Sequence, residues 1–432
     1  YNKNTNKCSY NAFGGVLLSN IIIPRQLSIE EKYELMQDDA KYEVGSDSDA
    51  QNTAVLCASD IKSKPPVPKI PKMFLSSTCV FNCAYCGCRC SRREAHENYC
   101  NTPEELAKMA VYAAKTNGRG VFITSAIYKN ADITQEMIAE SVRIMREELY
   151  YTGFLHAKVM PGADPRLIAN TGRYADRLSV NIEVARSSGY QKIAKQKNKD
   201  NILTPMGEVA KQIFGAKQEK TRFATSQTTQ LMAGSTGEDD RTIMILTRAL
   251  YKKYRLKRVY YTAFSYRHEA IGYEQENLRF IQTPYWRMAR LYQADRLMQL
   301  YGFTPDDITP EEEPFLQQDI DPKAAWALRH LDMYPVEVNR ADYDTLLRVP
   351  GFGLTYARRI IEARKYCRLT HNLLSRMKIS LKKAQYFITC SGKYIGGSVL
   401  DSDLLRSCVA TGLNQISITD ALSADTTSGC GL

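Results

Sequence analysis

No apolar run in this 432-residue sequence is long enough to cross a bilayer. The strongest candidate near the start, GGVLLSNIII (14–23), is short and interrupted by Ser19 and Asn20. No small-residue cleavage site follows it, so a secretory signal is not expected. The chain opens on Tyr1 rather than Met, which leaves room for residues upstream. Without a secretion signal, a disulfide framework is not the natural use of cysteine. The cysteines are also distributed wrongly for one, because six of the twelve lie between Cys79 and Cys100. Such crowding reads as metal binding in a reducing cytoplasm. A composition with 44% hydrophobic and 24% charged residues is globular. The length allows two or three domains. A formal charge of +11 favours a polyanionic partner.

Read along the chain, the first sixty residues look irregular apart from one helix over 28–44. Three prolines in KPPVPKIP (64–71) require an extended segment. A regular alternation follows. Strands are expected at 72–77, 120–126, 154–160, 177–184, 225–234 and 257–264. Helices are expected at 102–117, 134–150, 164–175 and 239–254, with one or two more filling 187–220. Thr102, Pro103 and Glu105 form a helix start with a capping box. Alternating strands and helices imply a parallel sheet with right-handed crossovers. Polar residues at several strand ends (Ser125, Lys158, Asn181, Glu183, Gln227, Gln230) favour a partial (β/α)6 barrel over a doubly wound sheet. The expected domains are an extension over 1–63, the barrel over 64–303, a linker and small all-helical domain over 304–394, and a poorly ordered tail over 395–432. The linker is the acidic, proline-containing TPDDITPEEEP (304–314).

STCVFNCAYCGCRC (77–90) follows the first expected strand of the array. Cys79, Cys83 and Cys86 give the spacing C-x3-C-x2-C, with Tyr85 before the third cysteine. Three thiolates on a tight loop suit an iron–sulfur cluster. A structural zinc site, completed by Cys88, Cys90 or Cys100, is the plainer alternative, but only one paired C-x2-C unit of the zinc-knuckle kind is present. An auxiliary cluster on Cys88, Cys90 and Cys100 is a further possibility.

The spacing, the aromatic and the position resemble the radical SAM superfamily. The resemblance implies a 4Fe–4S cluster on Cys79, Cys83 and Cys86. It also implies S-adenosylmethionine on the open iron, cleaved by one electron to a 5′-deoxyadenosyl radical that takes a hydrogen from the substrate. It assigns cofactor contacts to Tyr85, to Thr124 and Ser125 after the second strand, to Asn181 and Glu183 on the fourth, and to Gly234 after the fifth. Lys158 is a candidate for the SAM carboxylate or the substrate. The usual Gly-Gly-Glu is absent here, which weakens the assignment of Thr124 and Ser125.

LLRVPGFGLTYARRII (346–361) is the second signal. It fits the helix-hairpin-helix pattern: Pro350 ends one helix, Gly351 and Gly353 allow a tight turn, and Ala357 lets two helices approach. Backbone amides at a helix start make an anion site, which on DNA is a backbone phosphate. Gly351, Gly353, Thr355, Arg358 and Arg359 are the expected DNA-binding residues. Residues 336–393 carry twelve Arg or Lys against four acids, a local +8 within the chain's +11. A hairpin used only for packing is the plainer alternative.

Together the two signals resemble a bacterial family of radical SAM proteins associated with DNA modification or repair. Besides CVFNCAYC, the resemblance includes KYEV, KVMPGADP, DRLSVNIE, TPMG, RLKRVYYTAFS, RLYQADRLMQLYGF, DPKAAWALRH, PVEVNRADYDTLLRVPGFG and AQYFITCSGK. It implies a cytoplasmic enzyme that holds duplex phosphates without reading sequence. An electron donor such as flavodoxin or ferredoxin is implied, and no membrane association. The extra cysteines at 88, 90 and 100 depart from the pattern. Two other readings stand beside this one: a radical SAM enzyme acting on RNA, and a non-catalytic DNA-binding iron–sulfur sensor. The aromatics of YRLKRVYY (254–261) could stack an extruded base, but in a strand they are more naturally core.

Overall fold

The computed structural model describes residues 15–18, 21–24, 27–39, 70–91, 98–117, 120–264, 272–278, 282–397 and 402–410. Among them, no helix is long and apolar enough to cross a membrane. The chain divides into two compact units. The first comprises residues 1–49, 67–236 and 251–282, and the second 50–66, 237–250 and 283–432.

The first unit contains the expected array. Six parallel strands pair in chain order: β3 (Lys72–Phe74), β4 (Val121–Thr124), β5 (Leu155–Lys158), β6 (Arg177–Ser179), β7 (Ser226–Ala233) and β8 (Arg258–Ala263). Strictly sequential parallel order is the topology of a partial (β/α)6 barrel. Helices Pro103–Asn117, Ala131–Glu147, Pro165–Tyr174 and Lys199–Glu219 lie between strands in sequence. The start of the first is fixed as its sequence requires. Thr102 N–H donates to the Glu105 carboxylate at 2.9 Å, and Glu105 N–H to Thr102 Oγ1 at 3.2 Å. The strands are apolar on both faces near their middles, with Met73, Phe122, Ile123, Ala157, Leu178 and Val259 buried. That is the pattern of a sheet covered on both sides.

The register decides which side chains share a face. Gln227 Nε2 donates to the carbonyls of Met206 and Tyr254, so Gln227 points toward helices. Its neighbour Thr228 therefore points to the opposite face. Ser179 pairs with Thr228 and Lys158 with Ser179, which puts all three on that face.

Several expectations need correction. The first sixty residues are not irregular throughout. β1 (Gly15–Leu18) and β2 (Ile21–Pro24) pair antiparallel, as two β-branched and apolar runs separated by Ser-Asn can. The early helix is described over Ile29–Asp39, and residues 40–44 of its expected span lie outside the described residues. KYEV, and residues 64–69 of the proline segment, lie outside the described residues. Helix Tyr285–Leu300 was grouped with the barrel from sequence, but it belongs to the second unit. Its buried Arg290 donates to the carbonyls of Gln317 and Gln318, which ties it there.

The C-terminal region is not all helical. β9 (Val336–Glu337), β10 (Ile388–Cys390) and β11 (Lys393–Tyr394) form a small sheet. The tail is not wholly unstructured either, because Ser402–Val409 is a helix. It buries Leu405 and Val409 and pairs Arg406 with Asp319 at 2.7 Å. Residues 411–432 lie outside the described set.

Glu337 holds the small sheet together. Its carboxylate accepts from the backbone amides of Asn339, Ser391 and Gly392 at 2.8 to 3.0 Å, and from Thr389 Oγ1 at 3.1 Å. Burial pushes its pKa up, but these amides outweigh burial and bring it down to about 2. A depressed carboxylate stabilises the fold above its unfolded pKa and loses that contribution as pH falls toward the folded value. The second unit should therefore lose stability between about pH 5 and about pH 2. Glu337→Gln should lower the melting temperature at neutral pH and flatten this acid limb. Thermal scans across pH check both.

Candidate functional site

The cysteine loop is tethered to the segment after β4, to the end of helix Gly189–Ile193 and to itself. Val80 N–H donates to Ile127 O after β4 at 2.9 Å, and Ala84 N–H to Ile193 O at 2.8 Å. Cys90 N–H closes the loop on Phe81 O at 3.0 Å, and the buried Arg89 donates to Cys86 O at 3.1 Å. Each tether satisfies a backbone group that a loop this enclosed could not leave unpaired.

Cys79, Cys83 and Cys86 are free thiols. They are near enough to influence one another's ionisation, and all three feel the charge of Lys197. Phe81 N–H lies 3.3 Å from Cys79 Sγ as donor. Burial raises the Cys79 thiol and pushes Cys83 up to about 12. A hydrogen bond from Cys88 brings Cys86 down to about 7. Among the described residues, no three His, Cys, Asp or Glu side chains gather as ligands of a single metal ion. Cys88 is buried, Cys90 exposed and Cys100 half-buried. Three thiols with an amide donor to sulfur and a nearby cation are a donor set that fits an anionic, thiolate-ligated cluster.

Beside the loop lies a network that sequence reading found only in part. Lys197 Nζ donates to Glu183 Oε1 at 2.9 Å and to Tyr85 Oη at 3.0 Å. Lys197 is 8% exposed and Glu183 4%. Burial raises the Glu183 carboxyl, but Lys197 and then Lys158 offset this and leave it below its usual value. Burial lowers the Lys197 ammonium, and Glu183 and Cys83 more than reverse that. The pair is thus charged on both sides. Lys197 was not predicted. It sits in AKQKNK (194–199), where a solvated lysine is the default, and nothing local marks it as buried.

Glu183 reaches this position through a bulge. Ile182 N–H and Glu183 N–H both donate to Gln230 O, at 3.1 and 2.9 Å, and Glu183 has φ +63. Two residues on one strand oppose one on its neighbour, which re-aims the side chain. A non-glycine residue in left-handed backbone is strained, and such strain concentrates at functional sites.

On the face away from the helices, Thr124, Ser179 and Thr228 each bury a hydroxyl oxygen with no hydrogen-bond partner. Lys158 is half-buried on that face, and alternation puts the buried Asn181 there too. The structure therefore brings Tyr85, Lys158 and Glu183 together with Lys197, and gathers Thr124 and Asn181 on the polar face. Ser125 instead donates to Ala126 O at 2.5 Å, and Gly234 turns the chain after β7 at φ +79. Tyr254, Tyr260 and Tyr261 are buried and offer no stacking surface.

In the second unit, helices Tyr343–Arg348 and Leu354–Ala363 flank the glycine turn. Gly351 has φ +87, and Gly353 is the N-cap with no side-chain cap. Thr355, Arg358 and Arg359 are exposed on the helix that follows. Not all of the local +8 is available to a partner. Arg348 stacks over Phe303 and Trp326, Arg364 donates to Val338 O and Ala341 O, and Lys383 pairs with Asp321.

No family model matches the sequence, and no curated protein does. Solved structures do align. The FeFe-hydrogenase maturase HydG from Carboxydothermus hydrogenoformans shares 13% identity at TM-score 0.42, over 63% of this chain and 60% of that one. Methylornithine synthase (PylB) shares 16% at 0.39, over 63% and 74%. Coproporphyrinogen III oxidase (HemN) from Escherichia coli, a radical SAM enzyme, shares 12% at 0.32, over 59% and 56%. The chain spans about three fifths of the HydG structures (62% and 60%). At these identities and scores the likenesses carry no argument about activity.

Removing Lys197 should strand a buried carboxylate. Lys197→Met is expected to cost about 3–5 kcal/mol in denaturant unfolding. The double variant Lys197→Met/Glu183→Leu should recover most of that loss. Equal stability of single and double variants would show that the pair is not buried in solution.

Proposed function

We propose that this protein is a radical SAM enzyme that modifies or repairs DNA. One observation carries the reading: three free cysteines in C-x3-C-x2-C share a tethered loop after the first strand of a parallel array, beside a buried lysine. Cys79, Cys83 and Cys86 would hold a 4Fe–4S cluster, with S-adenosylmethionine beside it. When bound, these groups supply the one-electron cleavage that yields a 5′-deoxyadenosyl radical.

The protein's own part is binding, orientation and exclusion of water. Lys197 balances the negative charge of a thiolate-ligated cluster and, with Glu183, holds Tyr85 in place. Thr124, Lys158 and Asn181 offer an orphan hydroxyl, a cation and an amide to the polar groups of SAM or substrate. The Thr124 hydroxyl is buried without a hydrogen-bond partner, so a polar ligand there would satisfy it.

The hairpin would supply the partner's anchor. The turn at Gly351 and Gly353, with Arg358 and Arg359 exposed in the middle of the helix that follows, suits a backbone phosphate. An atom inside a duplex cannot reach an enclosed site, so the reacting nucleotide is extruded or already single-stranded. A reduced flavodoxin or ferredoxin would donate the electron.

The test is anaerobic. Protein reconstituted with iron and sulfide is given SAM and dithionite, and 5′-deoxyadenosine is measured with no nucleic acid, with duplex DNA and with structured RNA. SAM cleavage should require all three cysteines and rise with DNA. No cleavage by fully loaded protein would reject the enzyme reading, and stimulation by RNA alone would reject the DNA reading.

Duplex binding itself should weaken steeply with salt. Gly351→Val forces a β-branched residue into left-handed backbone, with a Cβ 3.4 Å from Ala384 N. It should reduce duplex affinity about tenfold or more, a loss of about 1–2 kcal/mol. Fluorescence anisotropy at fixed salt reads this directly.

A further inference from the structure

The glycine turn of the second unit is fastened from within by one buried cation. Lys323, on helix Pro322–Arg329, is 8% exposed. Its Nζ donates to Leu347 O at 3.0 Å and also to Phe352 O, and lies 4.8 Å from the Tyr301 ring centroid. These acceptors lie on either side of Pro350 and Gly351. Leu347 O belongs to the last turn of a six-residue helix, where carbonyls lack intrahelical partners. Tyr334 Oη does the same for Arg348 O at 2.9 Å. A positive charge suits helix C-terminal carbonyls.

Two carbonyls and one aromatic face can occupy all three ammonium protons. Asp321, the carboxylate whose charge acts on Lys323, is taken by Lys383 at 2.6 Å and caps its own helix through Ala324 N–H. Lys383 and Ala384 also pack against the position where a Gly351 Cβ would sit. A packing hairpin needs no such cation, because leucine at 323 would fill the space without the cost of burying charge.

We propose that Lys323 is the internal cation of this hairpin, drawing the Leu347 and Phe352 carbonyls inward so that the amides of Gly351, Gly353, Leu354 and Thr355 turn outward for a phosphate, while Phe352 N–H stays bonded to Val349 O at 3.1 Å. Phosphate binding then depends on this charge and needs no added metal ion. The inference rests on the reading of the hairpin as a phosphate-binding element.

The charge is titratable. Burial lowers the Lys323 pKa to about 8, Asp321 opposes this, and Arg348 adds to it. The other ionisable groups around it are Tyr301, Tyr334 and Lys383. The sign follows from a depressed base. Below about pH 8 the ammonium is present in the folded protein, and above it the amine is neutral there while still charged in the unfolded chain. A base depressed in this way adds fold stability as pH rises from about 8 toward its unfolded value, so loss of the charge does not destabilise the fold; what it removes is the charged donor at the Leu347 and Phe352 carbonyls.

The experiment measures affinity of the full chain for a short duplex in EDTA, from about pH 7 to about pH 9.5. Wild type should weaken about fivefold or more across that range, equivalent to about 1 kcal/mol. Lys323→Met should bind weakly throughout, with a flat profile. Lys323→Arg keeps a cation that does not titrate and should bind at both ends of the range, which covers the case in which the methionine variant fails to fold. Arg358→Ala/Arg359→Ala should weaken binding while keeping the pH slope. Binding by Lys323→Met that matches wild type in strength and slope would overturn the proposal alone, as would a requirement for added metal ion. No duplex binding by wild type at any pH would overturn the phosphate reading, and the proposal with it.

Discussion

Parallel pairing of β3 to β8 is the constraint on which the first unit depends. Parallel strands joined by crossovers all end at the same edge of the sheet, so the segments that leave them meet there. The cysteine loop leaves β3, Thr124 ends β4, Lys158 ends β5, and Asn181 and Glu183 follow β6. Apart from Asn181 and Glu183, none of these residues is close to the next in sequence. The shared register alone puts Lys158, Ser179 and Thr228 on one face, and a one-residue slip would turn each of them toward the helices.

That gathering has an electrostatic cost, and its solution is visible. A carboxylate and an ammonium buried together are tolerated only when well paired. Lys197 and Glu183 meet this condition at 2.9 Å, and Tyr85 takes another of the lysine's bonds. The bulge at Glu183 makes the pairing possible. Local backbone strain, a buried ion pair and the aromatic of the cysteine loop thus form one arrangement. A single substitution within it disturbs all three.

The second unit uses buried and half-buried cations differently. Arg290, Lys323 and Arg364 each donate to backbone carbonyls, and Arg348 lies over aromatic rings. Basic residues that look from sequence like one DNA-facing surface therefore divide into two groups. Arg358 and Arg359 remain exposed on the helix after the turn. Those bound to carbonyls or stacked on rings shape the backbone that presents them. A total of charges cannot make this division, because it depends on which carbonyls are left without partners.

The order of elements and the spacing of the loop cysteines are legible in the residues alone. Strand and helix alternation is written in hydrophobic periodicity, the Thr102–Glu105 cap in two side chains, and the cysteine spacing in eight residues, because each acts over a few positions. The glycine turn was legible for the same reason, since φ +87 at Gly351 needs a residue without a Cβ. The β1–β2 pairing, the helix Ser402–Val409 and the small sheet around Glu337 were not, because their partners lie in segments with weak patterns of their own. Lys197 and Lys323 were invisible for a stronger reason. A lysine is buried only when distant segments supply its acceptors, here Glu183 and Tyr85 for one and Leu347 and Phe352 for the other. Tertiary structure alone decided which lysines became part of the sites, because desolvation and pairing depend on neighbours in space.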